Sequence, residues 1–130
     1  MIQTTLLFID DDDDFNTLIK IAFDKNPDWK IITTLNGEDG VSIAQIYQPD
    51  VILLDMVMPK LTGIETYHLL KSNWRTSSIP IVFLTAMIGM KAVIASQIDE
   101  NIEIITKPFN IKKLKDEVIK SCVRFKLEKI

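Results

Sequence analysis

Short apolar segments alternate along this chain with longer stretches whose apolar residues recur at helical spacing. Three of the segments are apolar at every position, and a polar residue follows each of them: Leu6–Ile9, Val51–Leu54 and Ile81–Leu84. Uninterrupted apolar runs of this length are typical of strands buried on both faces of a parallel sheet. The alternation therefore predicts βαβ units and a doubly wound α/β fold.

The pattern predicts five strands and five helices without a linker, so residues 1–130 are expected to form one domain. Two further strands are expected around Lys30–Leu35 and at Ile102–Ile105. The predicted helices run from about Asp14 to Asn26, through Val41–Tyr47, Ile64–Leu70 and Met90–Ile98, and from Ile111 to Phe125. Asn110 is a suitable N-cap for the last helix.

The first predicted helix has one apolar stripe that should face the sheet. Its members recur at the spacing of a helix face: Phe15, Leu18, Ile19, Ala22 and Phe23. Five consecutive aspartates, Asp10 to Asp14, precede the stripe. We expect Asp13 or Asp14 to cap this helix and Asp12 to Asp14 to be solvated.

The composition supports a folded domain and argues against several classes of function. Apolar residues make up 47% of the chain and charged residues 25%, which suits a packed core with a solvated surface. The net charge of −3 argues against direct binding of nucleic acid. No apolar run approaches the ~20 residues of a membrane span. With a single cysteine, Cys122, and no signal sequence, a cytoplasmic location is expected.

Polar residues follow four predicted strands, and the carboxyl ends of parallel strands form one edge where ligands bind. Asp10 and Asp11 follow the first strand, Asp55 the third, Thr85 the fourth and Lys107 the fifth. Three carboxylates at one edge repel one another unless a cation compensates them. The candidate ligands are hard oxygens, which favour Mg²⁺, Ca²⁺ or Mn²⁺ over Zn²⁺.

Such a set of residues suits phosphoryl transfer. A carboxylate can attack phosphorus and form an aspartyl phosphate, and Asp55 is the candidate nucleophile. An ammonium and a hydroxyl, those of Lys107 and Thr85, can hold the phosphoryl oxygens as charge moves onto them. Asp11, with help from Asp10, would hold the metal.

Taken in order, these residues resemble the receiver domain of bacterial two-component response regulators. The resemblance lies in Ile9–Asp12, in Asp50–Pro59 followed by Gly63, in Leu84–Ala86 and in Lys107–Phe109. It covers essentially the whole chain without an apparent insertion. It implies a flavodoxin-like sheet of strand order 2-1-3-4-5.

The resemblance also implies roles for single residues. Asp55 would be the phosphoacceptor, and Asp11, Asp55 and the backbone carbonyl of Val57 would hold Mg²⁺ or Mn²⁺, with Asp10 nearby. Thr85 and Lys107 would contact the phosphoryl group, and Lys107–Pro108 would be a cis peptide bond. The chain would catalyse only its own phosphorylation and dephosphorylation.

The resemblance further implies how a signal enters and leaves. A sensor histidine kinase or a phosphotransfer protein would supply the phosphoryl group. Thr85 would turn toward it, and the surface of the fourth helix, fifth strand and fifth helix would rearrange for a downstream protein target. The family usually has an aromatic residue three positions before the lysine, whereas this chain has Ile104. The usual coupling between Thr85 and that surface is therefore in question.

Two positions near the expected path of an attacking water are apolar where many relatives are polar. These are Val57, two residues after Asp55, and Met87, two residues after Thr85. We expect this to slow hydrolysis of the phosphorylated form.

Three alternatives remain open from the sequence. A flavin-binding electron carrier shares the fold, but its phosphate loop would be rich in Ser, Thr and Gly rather than aspartate. A Mg²⁺-dependent phosphatase for small molecules would usually have a second acid at the position of Val57. The third alternative is a receiver domain that belongs to a larger regulator or hybrid kinase.

Overall fold

The computed structural model describes residues 3–86, 96–98, 102–107 and 110–128, with side chains described as far as residue 124. Its strands are β1 (Thr4–Ile9), β2 (Trp29–Thr34), β3 (Val51–Asp55), β4 (Ile81–Thr85) and β5 (Glu103–Thr106). Its helices are α1 (Asp13–Phe23), α2 (Gly37–Tyr47), α3 (Gly63–Lys71) and α4 (Ile111–Glu128). The helix predicted over Met90–Ile98 and the peptide bond to Pro108 lie outside the described residues, apart from a short stretch at 96–98.

The five strands form one parallel sheet with the order β2-β1-β3-β4-β5. This order and the α/β class confirm the prediction from the sequence. The winding reverses between β1 and β3, which are neighbours in the sheet but not in the chain. A ligand site is expected at the carboxyl ends of the strands at this reversal.

Helices cover both faces of the sheet, which explains the uninterrupted apolar runs Leu6–Ile9, Val51–Leu54 and Ile81–Leu84 in its central strands. Along β3, Val51 and Leu53 belong to one apolar cluster, whereas Ile52 and Leu54 belong to the other. The first cluster includes buried residues of α1 and α4: Ile19, Phe23, Leu114, Val118 and Cys122. The second includes Ala44 of α2 and Leu70 of α3. Each fully buried valine, leucine, isoleucine or phenylalanine side chain in these clusters stabilises the fold by roughly 1.5–3 kcal/mol.

The start of α1 differs from the prediction. Asp12, rather than Asp13 or Asp14, is the N-cap, and its Oδ1 accepts a hydrogen bond from the backbone N–H of Phe15 at 3.1 Å. The chain turns early because the Asp12 N–H donates to Asp10 Oδ1 at 2.9 Å. This bond places Asp12 where the helix begins.

The apolar stripe of α1 is also rotated relative to the prediction. Leu18 is 51% exposed, whereas Asn16 is only 2% exposed. Ile19 and Phe23 are buried as expected, and Phe15 and Ala22 pack at the margin of the first cluster. Asn16 takes the inward position because its amide binds two backbone carbonyls, described with the site below.

The amino ends of α4 and β3 are each held by a side chain that accepts a backbone N–H. Asn110 caps α4 as predicted, since its Oδ1 accepts from the N–H of Lys112 at 3.0 Å. At the amino end of β3, Asp50 Oδ2 accepts from the N–H of Thr5 at 2.7 Å, and the Asp50 N–H donates to the Thr5 carbonyl at 2.8 Å. This pair joins β1 to the start of β3.

In the parts of the chain that the structure describes, no helix combines the length and the apolar character needed to cross a bilayer.

Candidate functional site

The residues predicted to form a site meet at the carboxyl edge of the sheet. Asp10 directly follows β1, while Asp55 and Thr85 are the last residues of β3 and β4. The sheet register pairs Asp55 with Leu84, and Thr85 with Thr106, the residue before Lys107. All four strands that were expected to contribute therefore end side by side.

Three carboxylates come together at this edge. One carboxylate oxygen from each of Asp10, Asp11 and Asp55 lies within 4.8 Å of the others. Asp10 and Asp55 are buried, whereas Asp11 is exposed. Hard oxygen ligands at this separation, with one side open to solvent, fit a divalent cation that keeps some of its water.

The environment of Asp55 opposes its ionisation. Burial and the negative charge of Asp10 raise the pKa of Asp55 from its ordinary 3.8 to about 7. Lys107 and a hydrogen bond from the Val57 backbone N–H oppose this rise but do not cancel it. Asp55 therefore needs more positive charge nearby if it is to be fully ionised at neutral pH.

Lys107 supplies the ammonium at the site. Its Nζ lies 2.7 Å from Asp10 Oδ2 and 3.6 Å from Asp55 Oδ1. Its backbone N–H donates to the carbonyl of Thr85 at 2.7 Å, which ties the end of β5 to the end of β4. Burial lowers the pKa of the ammonium, but Asp10 and Asp55 outweigh burial and raise it above the ordinary value. Lys107 is thus charged while in contact with both acids.

The remaining predicted residues lie at the rim of the site or behind it. Thr85 is buried at the end of β4, and the Val57 side chain is 57% exposed beside Asp55. Ile104 pairs with Phe83 in the sheet register and packs at the margin of the second apolar cluster. Met87 lies outside the described residues.

Asn16 is a residue of the site that the sequence analysis missed. Its Nδ2 donates to the carbonyl of Asp10 at 2.9 Å and to that of Thr34 at 3.3 Å. It therefore ties the loop that carries Asp10 and Asp11 to the end of β2. The sequence did contain a signal for Asn16. It precedes Ile19 by three residues and Phe23 by seven, and this spacing places it on the buried face of α1.

Gly63 was matched from the sequence without a structural reason, and the structure supplies one. A Cβ built on Gly63 would lie 2.3 Å from the carbonyl oxygen of Asp55 and 2.8 Å from the Cα of Met56. The Gly63 N–H donates to the Met56 carbonyl at 3.1 Å. Helix α3 therefore begins directly against the end of β3, and only glycine allows this approach.

Comparisons with known proteins agree with this architecture. A family model described as the response regulator receiver domain matches residues 6–119. The chain is similar to the chemotaxis protein CheY4 of Vibrio cholerae in its solved structure, with a TM-score of 0.78, 21% identity, and coverage of 91% of this chain and 98% of that chain.

Two curated relatives are similar in sequence over most of this chain. The probable transcriptional regulatory protein TcrX of Mycobacterium tuberculosis is 28% identical over 110 residues, which are 85% of this chain and 46% of that protein. Histidine kinase P4 of Formosa agariphila is 29% identical over 113 residues, which are 87% of this chain and 8% of that protein. The chain thus spans less than half the length of either relative.

Proposed function

Since the chain belongs to the response regulator receiver family, a family of phosphorylation-dependent signalling domains, we propose that Asp55 is its phosphoacceptor. The observation that carries this assignment is the placement of Asp55. It is buried at the end of β3, with the Lys107 ammonium 3.6 Å away and two further carboxylates close by. A buried acid at a strand end whose pKa is raised to about 7 by burial and a neighbouring charge is typical of a functional site.

In the proposed reaction, a carboxylate oxygen of Asp55 attacks the phosphorus of a phosphohistidine on the donor protein. A P–O bond forms as the P–N bond breaks, and the bonding electron pair of the P–N bond stays on the imidazole nitrogen. Hydrolysis reverses the modification, because water attacks the same phosphorus and the Asp55 carboxylate leaves.

The proposed roles of Lys107 and Thr85 are to hold the phosphoryl oxygens. The Lys107 Nζ already contacts Asp10 and Asp55, so it can donate to an oxygen attached to Asp55 without a large movement. Thr85 ends the neighbouring strand, and its backbone carbonyl is bonded to Lys107. The Lys107 ammonium and the Thr85 hydroxyl would stabilise the negative charge that builds up on the phosphoryl group during transfer.

The acidic residues fit a divalent cation, which we propose to be Mg²⁺, with Mn²⁺ able to take its place. Asp11, Asp55 and the backbone carbonyl of Val57 would hold it, with Asp10 adjacent. Such a cation would neutralise phosphoryl charge and favour the ionised form of Asp55.

The proposed partners are a sensor histidine kinase or phosphotransfer protein and a downstream protein target, in the cytoplasm and without direct contact with nucleic acid. The match to 8% of histidine kinase P4 supports a second arrangement, in which a receiver of this kind is one part of a larger kinase. In either arrangement we propose that residues 1–130 act as a single receiver domain. Signal output is proposed to use the surface of the helix predicted over Met90–Ile98, strand β5 and the last helix, α4, with Ile104 in place of the usual aromatic residue.

The test is incubation with Mg²⁺ and acetyl phosphate, followed by intact mass measurement. We expect a gain of one phosphoryl group that is lost in Asp55→Asn. Asp50→Asn is the matched control, because Asp50 lies at the other end of the same strand and should leave the gain unchanged. A wild-type protein that gains no phosphoryl group, or an equal gain in Asp55→Asn, would contradict the proposal. Release of many phosphates per protein would indicate a phosphatase instead.

A further inference from the structure

The Lys107 ammonium has a third neighbour besides its two carboxylates. Its Nζ lies 4.8 Å from the centre of the Phe15 ring. An ammonium within ~6 Å of an aromatic ring centre is attracted by the negative face of the ring. Lys107 is therefore held between Asp10, Asp55 and an aromatic ring on the first turn of α1.

The position of the Phe15 ring is linked to the same acidic loop. The Phe15 N–H donates to Asp12 Oδ1, and the Asp12 N–H donates to Asp10 Oδ1. Asp10 Oδ2 in turn contacts Lys107 Nζ. Together with the Phe15 ring contact, these bonds form a closed circuit of four residues. Phe15 also packs against the first apolar cluster, which limits the movement of its ring.

We propose that Phe15 is a positioning residue that holds the Lys107 ammonium at the phosphorylation site. The proposal rests on the proposed function, in which Lys107 receives the phosphoryl oxygens on Asp55. A lysine side chain has four rotatable bonds, and its ammonium lies closer to Asp10 than to Asp55. The ring restrains the side chain without accepting a conventional hydrogen bond, so the three N–H donors remain available to oxygens.

An aliphatic side chain at this position would keep the apolar packing but lose the attraction for the ammonium. Phe15→Leu therefore separates the contribution of apolar packing from that of the ring's attraction for the ammonium. Phe15→Tyr is the conservative variant, because it retains an aromatic face. Phe15→Met provides a second ringless variant with an unbranched side chain, should Leu fold poorly.

Helix α1 also offers a matched control. Phe23 lies eight residues further along the helix, roughly 12 Å away along its axis, and its ring faces Lys115 Nζ at 5.3 Å. Phe23 belongs to the same apolar cluster as Phe15, yet it is remote from the acidic edge. Phe23→Leu thus removes a ring and an ammonium contact of the same kind without touching the site.

The experiment measures the phosphorylation rate with acetyl phosphate and Mg²⁺, together with the ¹H–¹³C NMR signal of the Lys107 ε-methylene group. We expect Phe15→Leu and Phe15→Met to slow phosphorylation about two- to fivefold, which corresponds to the weaker end of cation–π attraction. The ε-methylene protons should lose their upfield ring-current shift in these variants. Phe15→Tyr should retain both the rate and the shift, and Phe23→Leu should change neither.

Wild-type rates in both ringless variants, or an unmoved Lys107 signal, would overturn the inference. A Phe15→Tyr variant as slow as Phe15→Leu would also overturn it, because packing alone would then explain the loss. The NMR signal keeps this test separate from the proposed function. If the wild type gained no phosphoryl group, the proposed function would fail, whereas the ring contact would still be judged from the shift.

Discussion

Two aspartates bracket strand β3, and the protein holds them in opposite ways. Asp50 precedes the strand, is exposed, and accepts a backbone N–H from Thr5 at 2.7 Å. Asp55 ends the strand, is 5% exposed, and lies among two other acids with its ammonium neighbour at 3.6 Å. The two residues have the same side chain, but burial and the charge of Asp10 raise the pKa of Asp55 to about 7.

The difference distinguishes an acid that stabilises the fold from one whose ionisation opposes it. A carboxylate that accepts a backbone N–H while still in contact with water stabilises the native state modestly. A carboxylate buried beside another negative charge destabilises it when ionised. The presence of Asp55 at such a place is explained by its proposed role as phosphoacceptor rather than by stability.

The largest expected effect is on stability: substitution of Asp55 should stabilise the protein, whereas substitution of Asp50 should destabilise it. At pH 8, Asp55→Asn should raise the free energy of unfolding by about 1–3 kcal/mol, because it removes a charge that burial penalises. Asp50→Ala should lower it by about 1 kcal/mol, because the bond to Thr5 is lost. Urea unfolding of the three proteins without divalent cations measures both changes.

The pH dependence provides the control for this prediction. Between the ordinary pKa of 3.8 and the folded value of about 7, the folded protein holds a proton on Asp55 that the unfolded chain has released. The contribution of Asp55 to stability therefore falls as pH rises through this window and is constant above it. The advantage of Asp55→Asn should be small at pH 4 and full at pH 8. An advantage of equal size at both values would contradict the assigned cause.

A smaller effect is expected from a divalent cation. At neutral pH, Mg²⁺ at ten times its dissociation constant should stabilise the folded protein by about 1.4 kcal/mol, and a chelator should reverse this. Thermal unfolding measures the change. Asp11→Asn should abolish the stabilisation by Mg²⁺, because Asp11 belongs to the acidic cluster and is a proposed ligand of the cation. Asp50→Asn should retain the stabilisation. Equal stabilisation of all three proteins would indicate a general salt effect.

The smallest expected effect concerns the lifetime of the phosphorylated form. Val57 presents an exposed apolar side chain two residues after Asp55. Val57→Asn should speed phosphate loss about three- to tenfold, because an amide can orient an attacking water, a change of about 1 kcal/mol in the barrier. The control is Leu69→Asn, which adds the same amide at another exposed apolar position, on α3. Unchanged or slower loss in Val57→Asn would count against the role of Val57.

The sheet and the main acids could be predicted from the sequence because both depend on local patterns. Burial on two faces favours the uninterrupted apolar runs Leu6–Ile9, Val51–Leu54 and Ile81–Leu84, so the polar residue after each run stands out. Parallel pairing then brings those ends to one edge whatever the details of packing. Asp10, Asp55 and Thr85 were identified in this way, and Lys107 was identified by its place shortly after the fifth predicted strand.

What could not be predicted depends on contacts between distant segments. Asn16 is buried because its amide reaches the Thr34 carbonyl on a neighbouring strand, and counting apolar residues does not detect such a bond. The contact between Phe15 and Lys107 joins residues that are far apart in the chain. Asp12 caps α1 because Asp10 accepts its N–H, so the identity of the cap follows from the acidic loop rather than from residue preference.

The close approach of Gly63 to the Asp55 carbonyl limits how such a site can be tuned. A side chain at position 63 would displace the end of β3 itself, since its first carbon would lie 2.3 Å from that oxygen. Substitution of Gly63 therefore requires the backbone at the end of β3 to shift. Under the proposed function, the open rim is the side on which signal duration can be adjusted, because the Val57 side chain is exposed there.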